Sequence, residues 1–251
     1  MLLLRLACIA LILSACSSSH PPQKSFLKET DILPGFLLIA APNALDKPGT
    51  LIAVDRKGVR QPLGRLDVAL ESGMVVPGKD SGSKHNNFGY LLNFLGSNKI
   101  NASAQSSAVL KRDISYSIKL ENSTQERVSL LQIEAQLEKA KAAINGFAQL
   151  NDLRKYKFFI ITEAVKSQKL DYLFDKSSTD SLAVKSEISK VVDINPNLYW
   201  ANSNKFSLTY DLKEPLYVFA KYFSLNVRNT DGKAEKVEVG SEIEDPAQIY
   251  K

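Results

Sequence analysis

Cys16 carries the clearest chemistry in the chain, because a thiolate is a strong nucleophile that forms a thioether, and it follows Leu13, Ser14 and Ala15 at the end of an apolar leader. The inventory for catalysis beyond it is thin. Of the two histidines, His20 lies in a polar, proline-containing segment and His85 in a run rich in Gly, Ser and Asn. No Gly-x-Ser-x-Gly elbow precedes a helix to activate a serine. Zinc lacks a ligand set, since neither a second structured histidine nor a free cysteine completes one. Asp171, Asp175 and Asp180 are near in sequence but lack the glycine and closing Glu of a calcium loop. Phosphate-loop and dinucleotide fingerprints are absent. The sequence therefore assigns no catalytic residue, no metal and no cofactor, and points to a protein that is not an enzyme. A carboxylate pair for hydrolysis needs no sequence signature, so an envelope hydrolase stays as a minor alternative. Tyr199 and Trp200, adjacent after Asn195-Pro196-Asn197, are the candidate contact with a ligand or a membrane interface, the plainer alternative being that both rings cap a sheet.

Arg5 followed by the apolar run Leu6 to Leu13 is too short for a permanent membrane span and has the layout of a secretory leader. Leu13-Ser14-Ala15-Cys16 resembles the cleavage box of bacterial lipoproteins. That resemblance implies removal of residues 1–15, a diacylglycerol on the Cys16 sulfur and a third chain on its amine. Three chains at roughly 0.8 kcal/mol per buried CH₂ give lasting anchorage. Ser17, where an inner-membrane lipoprotein tends to carry aspartate, implies the outer membrane, with the domain facing the periplasm or the cell surface.

The chain has 251 residues, 44% of them hydrophobic, enough to build a core. Its two cysteines are Cys8 and Cys16, so with one in the leader and the other lipidated no disulfide remains, and packing alone must hold the domain. The net charge of +5 is small and interspersed, which argues against nucleic-acid binding and leaves contact with acidic lipid headgroups open.

The elements follow from periodicity. Residues 16–27 read as a flexible, lipidated tether. Phe36 to Ile39 and Leu51 to Val54, each after a Pro-Gly turn, read as strands, and the polar stretch Pro77 to Asn87 as a mobile loop. Ile114, Tyr116, Ile118 and Leu120 alternate with polar residues in a half-buried strand. Leu130, Ile133, Leu137, Ala140, Ile144 and Phe147 recur at three and four, predicting one long amphipathic helix of about five turns. Tyr156 to Val165 and Leu170 to Phe174 read as a hairpin about the polar turn Lys166-Ser167-Gln168. Leu182 to Val192 reads as one or two more strands. Phe206 to Tyr210, a turn at Lys213-Glu214-Pro215 and an apolar central strand Leu216 to Val227 follow. Residues 229–251 are charged and read as a peripheral tail. The expected fold is a single α+β domain over residues 28–228, with a mostly antiparallel twisted sheet and one long amphipathic helix.

Thr162 to Leu170, then Leu208-Thr209-Tyr210 and Pro215 to Ala220, are similar to the closing strands of bacterial gasdermin-like pore-forming domains. The resemblance covers about a quarter of the chain. It implies a twisted sheet with helices, lipid-triggered assembly and release by cleavage of a C-terminal segment.

Taken together, the sequence favours an outer-membrane lipoprotein acting as a non-catalytic binding or assembly module, its partners being the membrane, through the N-terminal lipid, and an envelope protein. The alternative is a membrane-active, gasdermin-like pore former in which Tyr156 to Phe174 rearranges.

Overall fold

The computed structural model describes residues 33, 35–75, 84–87, 92, 95, 113–174, 182–195, 197–202, 207–244 and 248–249. Two long antiparallel strands organise the chain, β8 (Tyr156–Phe174) and β10 (Ser207–Thr230), which pair from Leu225↔Phe158 to Ser207↔Leu173. The outer side of β8 is lined in succession by β2 (Thr50–Asp55), β7 (Thr124–Arg127) and β6 (Asp113–Glu121). The outer side of β10 is lined by β11 (Lys233–Glu242), β1 (Leu37–Asn43) and β9 (Leu198–Asn202). Three further strands extend these flanks: β3 (Arg60–Arg65) pairs with β2, β4 (Glu71–Val75) with β7, and β5 (Lys84–Asn87) with β6. The sheet thus has a base, where β2, β3 and β11 lie, and a tip, where β6 and β9 lie.

Successive side chains in a strand point to opposite faces, and one face of this sheet carries two apolar clusters. At the base, Ile133 of α1 (Leu130–Glu134) and Ala140 and Ile144 of α2 (Leu137–Ala148) pack on Leu51, Phe158, Ile160 and Leu225. At the tip, Val184, Ile188 and Val191 of α3 (Leu182–Ile194) pack with Ile118, Tyr172, Leu208 and Tyr210. The opposite face has an apolar cluster at its base, in which Leu37, Ile52, Phe159 and Tyr222 meet Ile243 and Ile249.

The α+β, mostly antiparallel fold agrees with the expectation, while several elements differ from it. The single long helix is two helices, the first ending at Ala135 and the second starting from Gln136, whose φ −110°, ψ 7° interrupts the helical backbone; Ser129 caps α1 by accepting from the Gln132 amide at 3.3 Å. The apolar stripe survives the break, with Ile133, Ala140 and Ile144 all in one cluster, so periodicity alone does not reveal it.

The expected hairpin at Lys166-Ser167-Gln168 is instead unbroken strand. Those polar side chains find partners across strands: Lys166 on Glu126, and Ser167 accepting from Ser123 at 2.9 Å. Gln168 accepts from the Asn122 amide at 3.1 Å. The turn expected at Pro215 is a wide register irregularity inside β10, between Asp211↔Lys169 and Leu216↔Ser167, a place where the missing proline N–H costs no ladder bond.

Leu182 to Val192, expected as strands, is helical, with Val184, Ile188 and Val191 on its buried side. The described part of the expected loop 77–87 is β5, paired with β6. The described residues of 229–251 are not a loose tail, since β11 pairs with β10, and Ala234, Val237, Ile243 and Ile249 are buried.

Candidate membrane-insertion strands

At the tip, β6, the C-terminal half of β8, the start of β10, and β9 are two-faced. Tyr116, Ile118 and Leu120 of β6 stand in register with Phe174, Tyr172 and Leu170 of β8, and Leu208 and Tyr210 of β10 continue the row. All eight are buried beneath α3. The alternate positions carry Lys119, Glu121, Lys169, Asp171, Thr209 and Asp211. These form a ladder of ion pairs and hydrogen bonds across the other face, including Lys169 with Glu121 at 3.3 Å and with Asp171 at 3.6 Å, and Thr209 donating to Asp171. Such alternation is the pattern of a strand that presents one side to a nonpolar phase and the other to water. β6, nine residues long, extends about 30 Å at roughly 3.3 Å per residue, the thickness of a bilayer's hydrocarbon core.

α3 is the element that covers the apolar row. Val184, Ile188 and Val191 match a helical face, and they are the residues buried in the fold. At period two the same stretch is mixed, since Ser186 and Lys190 fall on the side of Leu182, Val184, Ile188, Val192 and Ile194, and Val191 on the side of Lys185, Glu187, Ser189 and Asp193. Ser189 donates to the Lys185 carbonyl at 3.0 Å, a back-bond that slightly weakens a helix.

A belt of buried polar groups crosses the sheet between tip and base. On the open face Glu126 of β7 accepts from Lys166 Nζ at 2.5 Å and from Tyr217 Oη at 2.5 Å. Burial opposes the charge of Glu126, but the hydrogen bonds from Lys166 and Tyr217 outweigh it and hold the carboxyl below its ordinary range. Burial, reinforced by that carboxylate, pushes the Tyr217 phenol well up. On the helix-bearing face Gln125 donates to Glu163 at 2.6 Å, and Lys221 lies 3.4 Å from Glu163 and 3.6 Å from Glu242. Gly35, at φ +80°, passes so close that any Cβ would strike the Glu242 carboxylate.

The base of the open face is closed by the end of the chain. Ile243 donates its amide to the Tyr222 carbonyl at 2.8 Å, and Ile249 is fully buried in the cluster around Ile52, Phe159 and Tyr222.

Tyr199 and Trp200 do not form a joint surface. Tyr199 is 41% exposed and donates to Asp211 at 3.3 Å, whereas Trp200 packs against the core cluster at the tip. Leu13, Ser14, Ala15, Cys16 and His20 lie outside the described residues. His85 is in β5, opposite Ser115. Among the described residues no group of His, Cys, Asp and Glu could hold a metal ion, and no helix is long and apolar enough to cross a membrane, which leaves strands untouched.

The model of the Bacterial Gasdermin Family matches residues 51–236, more than half of the chain and all of its paired long strands. The chain belongs to the bacterial gasdermin family. The fold is also similar to a bacterial gasdermin from Bradyrhizobium tropiciagri, at 15% identity and a TM-score of 0.47, covering 83% of this chain and 88% of that one. No curated protein matches. Membership in the gasdermin family overturns the expectation of an outer-membrane lipoprotein serving as a non-catalytic binding or assembly module and favours the pore-forming alternative. Sequence reasoning found the strands that resemble this family but missed α3 and the buried C-terminal residues. The helical spacing of Val184, Ile188 and Val191 was the available signal for the first, and Ile243 between two glutamates and Ile249 after Pro246-Ala247-Gln248, with no period linking them, offered little for the second.

Proposed function

We propose that this protein forms pores in lipid bilayers, performs no catalysis, and is held at rest by α3 over the tip and by the C-terminal residues over the base. The observation that carries the reading is the alternation of β6, β8 and β10 at the tip, which Leu173 of β8 alone interrupts among the paired positions there. In a bilayer the apolar row now beneath α3 faces lipid and the ionic ladder faces water. Isolated strands leave backbone groups unpaired in lipid, so insertion requires several copies closing into a barrel. The partners are therefore the membrane and further copies of this chain.

Dye release from vesicles tests the reading, comparing the full chain with one lacking residues 243–251. Leakage by the shortened chain, faster than by the full one, is expected. A shortened chain that stays folded and leaves vesicles intact, whatever their composition, overturns it.

A further inference from the structure

Two adjoining depressions at the base of the sheet, of about 380 Å³ and 180 Å³, share Arg154, Tyr156, Lys157 and Gln248 and so form one groove. Its cations are Arg56, Arg154, Lys155 and Lys157, each on an exposed residue. The only carboxylate among the described lining residues is Asp55, whose Oδ1 already accepts from the amides of Lys57 and Val59 at 2.8 Å. Arg154 is held in place by Asp152, at 2.9 Å. Asn226, Asn229 and Ser224 add neutral hydrogen-bonding groups on the β10 side.

Clustered cations with amides in a recess of this size match the several acceptor oxygens of a phosphate, because charge-assisted hydrogen bonds are roughly twice as strong as neutral ones. Gln248, one residue before the buried Ile249, forms part of the wall. We infer that the groove binds a phosphate-bearing anion, either a small molecule or a lipid headgroup, and that the bound anion fastens the C-terminal segment to the sheet. Binding stands independently of pore formation, while the regulatory sense of the fastening rests on the function proposed above.

The test uses the full chain and inorganic pyrophosphate at constant ionic strength, followed by calorimetry and by the thermal midpoint. Saturable binding is expected, and Lys155→Gln with Lys157→Gln together weaken it at least tenfold. Lys119→Gln, at the far tip, leaves it unchanged. No saturable binding, or equal affinity in the double variant, overturns the site. Sedimentation with phosphatidylcholine vesicles, with and without phosphatidic acid, separates the sources: pyrophosphate displacing the protein from the acidic vesicles assigns a headgroup, and pyrophosphate binding without vesicle binding assigns a soluble ligand. Hydrogen exchange at the Ile243 amide tests the fastening. Exchange slowed by pyrophosphate supports it, and exchange unchanged at saturation refutes it. None of these readouts involves leakage, so failure here and failure of the pore reading remain distinguishable.

Discussion

Replacing Ile249 by Ala should release the end of the chain without unfolding the sheet. Ile249 is fully buried among Ile52, Phe159 and Tyr222, and the substitution removes three carbon groups from that contact. At about 0.8 kcal/mol for each buried CH₂ the docked segment loses about 2.4 kcal/mol, which at 1.4 kcal/mol per decade is about a 50-fold shift toward the released form. The reporter is the Ile243 amide, which donates to the Tyr222 carbonyl at 2.8 Å and exchanges with solvent whenever the segment lifts. Its exchange should accelerate by that factor, while amides in the middle of β8 and β10 keep their protection. The same variant should leak vesicles faster than the wild type. Leu150→Ala, at a side chain 90% exposed, is the control and should change neither rate. Unaltered Ile243 exchange in Ile249→Ala would show that the buried isoleucine does not hold the segment down.

Other substitutions probe the tip and the polar belt. Ser186→Ala with Ser189→Ala removes a back-bonding hydroxyl and improves helix propensity at two positions of α3, together about 1 kcal/mol. Leakage should slow roughly fivefold, and a rate equal to wild type would remove α3 from the barrier. The Glu126 carboxyl is held below its ordinary value, so its contribution to stability is fully present above the unfolded value near 4.5 and is lost as pH falls through the folded one. The acid loss of thermal stability should therefore be shallower in Glu126→Gln, whose midpoint at neutral pH is lower; parallel pH profiles would contradict the assignment. Thr209→Val strips buried Asp171 of its hydroxyl donor and should cost about 1–3 kcal/mol in denaturant unfolding, with no change meaning that Lys169 suffices.

What the sequence made legible was the alternation of single strands. β6 lies where period two placed it, and β1, β2 and the apolar half of β10 lie where apolar runs beside turn signals placed them. What it hid were long-range partners. Lys166-Ser167-Gln168 is as polar as a turn, yet the polarity serves Glu126, Ser123 and Asn122, residues more than 35 positions away. The helix break at Gln136 leaves the apolar stripe intact and so leaves no trace in the pattern. In α3 the short apolar groups suggested strands, whereas the residues that pack with Tyr172 and Tyr210, Val184, Ile188 and Val191, are spaced at four and three as only a helix face requires. The candidate site was half visible for the same reason: its strands were legible individually, while the cover over each face was not.

The polar belt also fixes a depth. On the helix-bearing face, the one that would meet lipid, that depth is marked by Glu163 of β8 with Lys221 of β10 beside it at 3.4 Å. From Glu163 to Phe174 is eleven steps along β8, about 36 Å of strand, a little more than the roughly 30 Å of a hydrocarbon core. Strands entering a bilayer tip first would bring Glu163 and Lys221 to the headgroups as the far ends cross to the opposite ones. Ionised groups are expelled from hydrocarbon at a cost of several kcal/mol, so in that arrangement the pair would act as a collar, stopping the base from following and setting how much of the molecule is left standing in water on the side it came from.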